Sequence, residues 1–256
     1  MLSPDRKAFQ EAAESGATMI PVACSWPADL ETPLTTWLKV GDQRPPGVLL
    51  ESVEGGETLG RWSVVACDPL WTLSAARDGL ERTWRDNHHE TFSGNPFDCL
   101  RSCLEPYRPA TLPGLPPLGQ LYGMWGYELI RWIEPSVPVH PAIADGPPDG
   151  LWMLMDSILI FDQVKRLITA VAYGDLSGQR NAAASPEEAW EGAMARINTL
   201  RERMAAPLPP VRPLNWRPDR GATPETRSNR TREDFHQAVD QAREHIAAGD
   251  AFQLVV

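Results

Sequence analysis

The chain has 256 residues, 42% of them hydrophobic and 23% charged, with a formal net charge of -10. That size and composition suit one large domain, or one domain and part of another, and exclude wholesale disorder. The acidic balance excludes a general binder of the phosphate backbone, which needs a basic face, and favours no adsorption to anionic lipid.

The opening stretch MLSPDRKAFQEAAESG carries Asp5, Arg6, Lys7, Glu11 and Glu14 and no apolar run, so it does not read as a signal peptide. Ser3 or Asp5 instead caps a helix with Phe9, Ala12 and Ala13 on one face, ending at Gly16. MIPVACSW (19–26) reads as a strand, and 32–40 as a short helix with Pro33 at its first position, where a missing N–H costs nothing. Four strand-like runs follow, 47–53, 61–68, 70–76 and 80–86, with the turn signals EGGE and RDG between members of each pair. They predict an antiparallel meander. Asn95 caps a helix through PFDCLRSCLEPY, with Pro96 at its first position and Phe97, Leu100 and Leu104 at helical spacing.

After the Pro-rich LPGLPPLG, the segment QLYGMWGY predicts a strand feeding the short helix ELIRWIE. Two further strands, 150–162 and 166–174, predict a hairpin around 163–165. The longest apolar stretch, 151–161, is broken by Asp156 and Ser157. It falls far short of the ~20 residues that cross a bilayer, so the expected location is the cytoplasm. Ser185 caps a longer helix reaching about Met204. Strands that cluster, with helices between the groups, indicate an α+β architecture rather than regular βαβ repetition.

From 206 to 229 the sequence is rich in Pro and Arg without a period and reads as an extended linker. A marked helix follows: Thr231 as cap, Asp234 three residues on, then Phe235, Val239, Ala242 and Ile246 on one face, with Gly249 ending it. The closing AFQLVV predicts a strand. One helix and one strand cannot bury each other's faces, so the organisation expected is a domain over 1–205, the linker over 206–229, and an incomplete second domain over 230–256.

The densest chemical signal is LLESVEGGETLGRWSVVACDP (49–69). Glu51 and Ser52 fall at a strand end, where polar groups can face a cleft. A Ser hydroxyl with exposed backbone N–H groups suits a carboxylate, and a Glu suits an ammonium group, which together describe an amino acid. The bland alternative is a strand running into a polar hairpin. Other features read as structure. Cys99 and Cys103 share one helical face, but no Cys or His pair at metal-site spacing accompanies them. All four cysteines read as thiols in a reducing compartment. His88 and His89 read as a solvated turn, and the ten Trp residues as core. Gly123-Met124-Trp125-Gly126 lacks the spacing and the Lys of a phosphate loop.

The stretch 49–69 resembles the N-terminal domain of anthranilate synthase component I, whose pattern is a strand ending LLES, a glycine-bearing hairpin, then G-R-[YW]-S and D-P. Here these are Leu49-Leu50-Glu51-Ser52, Gly55-Gly56, Gly60-Arg61-Trp62-Ser63 and Asp68-Pro69. NPFDCLR, GMWGYELIRWIE and TREDFHQAVDQAREHIAAGDAFQLVV resemble the same family in the same order, the last being similar to the opening of its chorismate-binding domain. The resemblance implies a sandwich of antiparallel sheets with helices outside. It implies conversion of chorismate and ammonia to anthranilate and pyruvate with Mg2+, the ammonia coming from a glutaminase partner, component II. It also implies feedback inhibition by tryptophan, with Glu51 and Ser52 on one wall of that site. The catalytic residues and the magnesium ligands of the family lie in a half that this chain is expected to lack, so no catalytic or metal-binding residue is assigned to it. Component I of aminodeoxychorismate synthase shares the fold and the substrate and stands as an alternative, as does a non-catalytic binding module or gene remnant.

Overall fold

The computed structural model describes residues 2–41, 46–51, 60–76, 79–111, 119–138, 147–210 and 227–256. The chain divides into two compact units, Met1–Val211 and Arg212–Val256.

Among the described residues of the first unit, eleven strands form two antiparallel sheets. One has the order β1-β2-β11-β10-β4-β3, with β1 Leu2–Ser3, β2 Met19–Pro27, β3 Gly47–Leu50, β4 Trp62–Cys67, β10 Ser157–Asp162 and β11 Leu167–Asp175. The other has the order β7-β6-β5-β9-β8, with β5 Trp71–Ala76, β6 Gly79–Trp84, β7 His89–Phe92, β8 Leu121–Trp125 and β9 Gly150–Leu154. Helices α1 (Arg6–Glu14), α2 (Pro33–Val40), α3 (Pro96–Leu104), the short α4 (Ile130–Ile133) and α5 (Pro186–Ala205) flank them. Asp5, Thr32, Asn95 and Ser185 each accept a backbone N–H at the start of α1, α2, α3 and α5, which satisfies donors a helix start leaves unpaired.

The period of two along the strands explains the layering. Val64, Ile158, Ile160 and Val171 share a buried cluster with Trp71, Leu73, Leu80, Trp84 and Trp152 of the other sheet, so the two sheets form a sandwich. The alternate residues point the opposite way. Val65, Leu159, Phe161 and Ala170 pack with Leu200 and Met204 of α5, and Ile20, Val22 and Ala172 pack with Phe9 of α1 and Ala193 and Ile197 of α5. The first sheet is thus covered on both faces, which is why its strands read as near-continuous apolar runs. Gly123 of β8 lies so close to its neighbour that an added Cβ would come 2.3 Å from the Leu151 carbonyl oxygen.

The structure corrects two strand readings. The predicted meander is two hairpins in different sheets, β3–β4 and β5–β6, because the chain changes sheets at Asp68-Pro69, where Asp68 has φ 55°. The run 150–162 likewise divides into β9 in one sheet and β10 in the other, with the break at Met155-Asp156. One side chain holds both crossings. Arg85 donates from Nη2 to the Asp68 carbonyl at 2.5 Å and from Nε to the Pro69 carbonyl at 3.2 Å. It also grips both oxygens of Asp156, at 2.9 and 2.7 Å. Apolar periodicity carries no information about such a hand-over, since both segments stay buried on either side of it. Strand β7 was not anticipated; His88 and His89 are exposed as expected, but His89 opens that strand.

In the second unit Thr231 and Asp234 form a reciprocal cap at the start of α6 (Arg232–Ala248), and Gly249 closes it in the left-handed region, φ 83°. None of the α6 residues is buried. The predicted closing strand is absent: 251–256 forms no ladder, and Phe252 is 95% exposed. Among the described residues this unit holds no second strand to pair with it. Most of the expected linker, 211–226, lies outside the described residues.

Candidate functional site

Leu49, Leu50 and Glu51 of the LLES stretch sit at an edge of the first sheet. β3 is the last strand in its order, paired only with β4 among the described strands, through Leu49 with Val65 and Leu50 with Val64. Leu50 is half exposed and Glu51, just past the last pair, is exposed to solvent. Ser52 and the glycine hairpin after it lie outside the described residues.

The G-R-W-S segment that follows has a clear physical role. Arg61 donates from Nε and Nη2 to Asp162 Oδ1 and Oδ2, at 2.9 and 2.6 Å, and its guanidinium lies 4.4 Å from the centre of the Trp62 ring. Asp162 Oδ1 also accepts the N–H groups of Val164 and Lys165, both at 3.1 Å. Burial by itself pushes the Asp162 carboxyl up. The Arg61 hydrogen bond and charge and the two backbone donors overcome that and hold it below the usual carboxylate range. Ser63 is fully buried, and its Oγ lies 3.3 Å from Gln163 Nε2, which donates to it. Arg61, Ser63, Asp162 and Gln163 therefore fix β4 against β10 beside the edge strand that carries Glu51. Only half of this was open to sequence reasoning: G-R-W-S was visible as a motif, but Asp162, about a hundred residues away, was not connected to it.

A second polar region went unnoticed in the sequence. A cavity of about 490 Å3 is lined by Arg85, Asp156, Asp175, Asn181, Glu188 and Arg196, among others. The usable signal was Asp156 itself. An acid inside an apolar strand run must find a cation once buried, and here it finds two, Arg85 and Arg196.

The remaining candidates keep their structural readings. Cys103 is buried and Cys99 packs against the same core; burial pushes both thiols up, away from reactive thiolate, and no disulfide joins any of the four cysteines. Trp71, Trp84 and Trp152 are core, whereas Trp125 is 48% exposed and stacks on Phe97 with ring centres 4.7 Å apart. Among the described residues no group of three or more His, Cys, Asp or Glu could hold a metal ion, so the magnesium that the resemblance implies finds no ligand set here and no step is assigned to it. No helix among the described residues is long and apolar enough to cross a membrane.

Comparison with known proteins decides the family. Residues 57–256 match the family of chorismate binding enzymes. This chain belongs to that family. Within the chorismate-binding family, it is 46% identical, over its whole length, to anthranilate synthase component 1 of Synechocystis sp. and covers 51% of that protein. It is 35% identical over 98% of its length to anthranilate synthase component 1 of Pseudomonas putida, covering 50% of it. The chain thus spans about half the length of the curated relatives it matches. The crystal structure of anthranilate synthase component I from Streptococcus pneumoniae aligns with 87% of this chain and 45% of that one at 21% identity, with a TM-score of 0.49, too loose a likeness to carry an argument.

Proposed function

We propose that this chain is the N-terminal, regulatory portion of an anthranilate synthase component I. The observation that carries the reading is the 46% identity to the Synechocystis enzyme along the entire chain. In this reading, Glu51 and Ser52 provide one wall of a tryptophan site, the Glu51 carboxylate facing the ligand's ammonium group and the Ser52 hydroxyl its carboxylate. The exposure of Glu51 at a sheet edge supports the assignment, as does the Arg61–Asp162 clamp that steadies the neighbouring strand. The reaction of the whole protein is chorismate and ammonia to anthranilate and pyruvate, with magnesium held by residues outside this chain and ammonia delivered by a glutaminase component. The chain by itself turns over no chorismate, because positioning and acid/base groups supply most of the rate of such a step.

The test joins this chain to the second half of the Synechocystis relative and follows anthranilate fluorescence with chorismate, ammonia and Mg2+. The joined protein is expected to be active and tryptophan-inhibited, and the chain by itself to give no signal above the blank. Ser52→Ala should leave the uninhibited rate unchanged and raise the inhibitory tryptophan concentration about 10-fold or more, the worth of one hydrogen bond to a charged group. Anthranilate that rises in proportion to added chain, or an inhibition curve untouched by Ser52→Ala, would overturn the reading.

A further inference from the structure

Strand β8 ends the second sheet, and its outer edge is open. Among the described strands it pairs only with β9, through Leu121 with Leu154, Gly123 with Trp152 and Trp125 with Gly150. The phase of that ladder follows from its two ends. The Met155 N–H donates to the Gln120 carbonyl at 2.8 Å, and the Gly126 N–H to the Asp149 carbonyl at 2.6 Å. Hydrogen-bonded and open pairs alternate along an antiparallel ladder, so Tyr122 and Met124 bond to β9 while the backbone groups of Leu121, Gly123 and Trp125 point outward. None of those outward groups meets a partner among the described residues.

The other sheet edges are blunted. β1 is two residues long, β7 carries His89 and Glu90, and β3 runs straight into Glu51. The β8 sequence LYGMW has neither a charge nor a proline. Its surroundings are apolar as well: Trp125 lines a groove with Phe97, Tyr127, Leu129, Ile130 and Ile133. Met124, Trp125, Tyr127 and Ile133 are 47, 48, 92 and 64% exposed. Together they present on the order of 500 Å2, so two copies joined here would bury about 1,000 Å2, the least that a specific interface needs.

We propose that two copies of this chain pair through β8, antiparallel about a two-fold axis at Gly123. The strand is self-complementary in that register. Gly123 faces Gly123 of the second copy and Leu121 faces its Trp125, so every outward residue falls in a pair that exchanges both backbone bonds. The glycine leaves no side chain at the axis, and the flanking cross-strand pairs, Leu121 with Trp125 and Tyr122 with Met124, are apolar throughout. Leu121 of the second copy comes to lie beside Trp125, at the groove. This symmetry selects a second copy over an unrelated partner, since outward phase, apolar pairs and glycine all centre on one residue.

Sedimentation velocity of the full chain, combined with residue-resolved hydrogen exchange, tests the pairing. Dimer should grow in as the chain is raised to about 100 μM, within reach of a small interface. As it does, the amides of Leu121, Gly123 and Trp125 should slow about 10-fold or more, while those of Tyr122 and Met124, already bonded to β9, change little. Met124→Glu, a charge on an exposed edge position, should raise the dimer dissociation constant about 10-fold or more, and Phe252→Ser should leave it unchanged. A chain that stays monomeric would overturn the proposal, as would a dimer whose three outward amides exchange as in the monomer. So would a dimer that Met124→Glu leaves intact or that Phe252→Ser removes. If the second half of the Synechocystis relative, added in trans, protects those amides while the chain by itself stays monomeric, the edge belongs to that half and the proposal falls. Hydrogen exchange needs no variant, so the test holds even if Met124→Glu does not fold.

Discussion

Arg85→Met isolates the side chain that ties the two sheet crossings together. Asp156, whose side chain is 3% exposed, would lose two hydrogen bonds, at 2.9 and 2.7 Å, and the carbonyls of Asp68 and Pro69 would lose a donor. Removing one partner of a buried ion pair costs about 3–5 kcal/mol, because the other charge is left uncompensated. Two features pull the figure to the low end. Arg196 remains 3.5 Å from Asp156, and the Arg85 side chain is 38% exposed, so water screens part of the interaction. The expected loss is about 3 kcal/mol. Urea unfolding followed by tryptophan fluorescence measures it, since Trp71, Trp84 and Trp152 are all buried between the sheets. The double variant Arg85→Met, Asp156→Asn should recover much of that loss, because the buried charge is gone. A single variant that loses less than about 1 kcal/mol, or a double variant no better than the single, would show that the crossings are held by backbone pairing alone and that the ion pair is incidental.

Leu159→Ala, at a fully buried position between the first sheet and α5, should cost about 3–5 kcal/mol in the same assay, and a loss below about 1 kcal/mol would mean that this face is loosely packed. Asp175→Asn tests pH dependence. Burial, with the charge of Asp156 adding to it, outweighs the Ser177 hydrogen bonds and the Arg196 charge and raises the folded carboxyl above its ordinary 3.8, so its contribution to stability is full below that value and is lost as pH rises through the folded one. The Asn variant should therefore melt higher than the parent near about pH 8, with the gap closing towards about pH 4; a gap that widens in acid would reverse the sign and refute the reasoning.

Local chemistry was enough to place most helices and the family. Asp5, Thr32, Asn95, Ser185 and Thr231 cap their helices as their side chains predict, because an N-cap is decided within four residues of chain. LLES and G-R-W-S were legible for the same reason, being contiguous. What the chain could not reveal locally was which sheet each strand joins. An apolar run buried on both faces looks the same whether it continues straight or passes from one sheet to the other, so the breaks at Asp68-Pro69 and Met155-Asp156 emerged only from the packed structure. The polar pairs that fix those breaks, Arg85 with Asp156 and Arg61 with Asp162, are separated by 71 and 101 residues, and the cavity around Asp175 draws its lining from β11, α5 and the turn after β6. Charge can be read from a sequence, but whether a charge is paired, buried or left open to a ligand depends on neighbours that only the tertiary fold supplies.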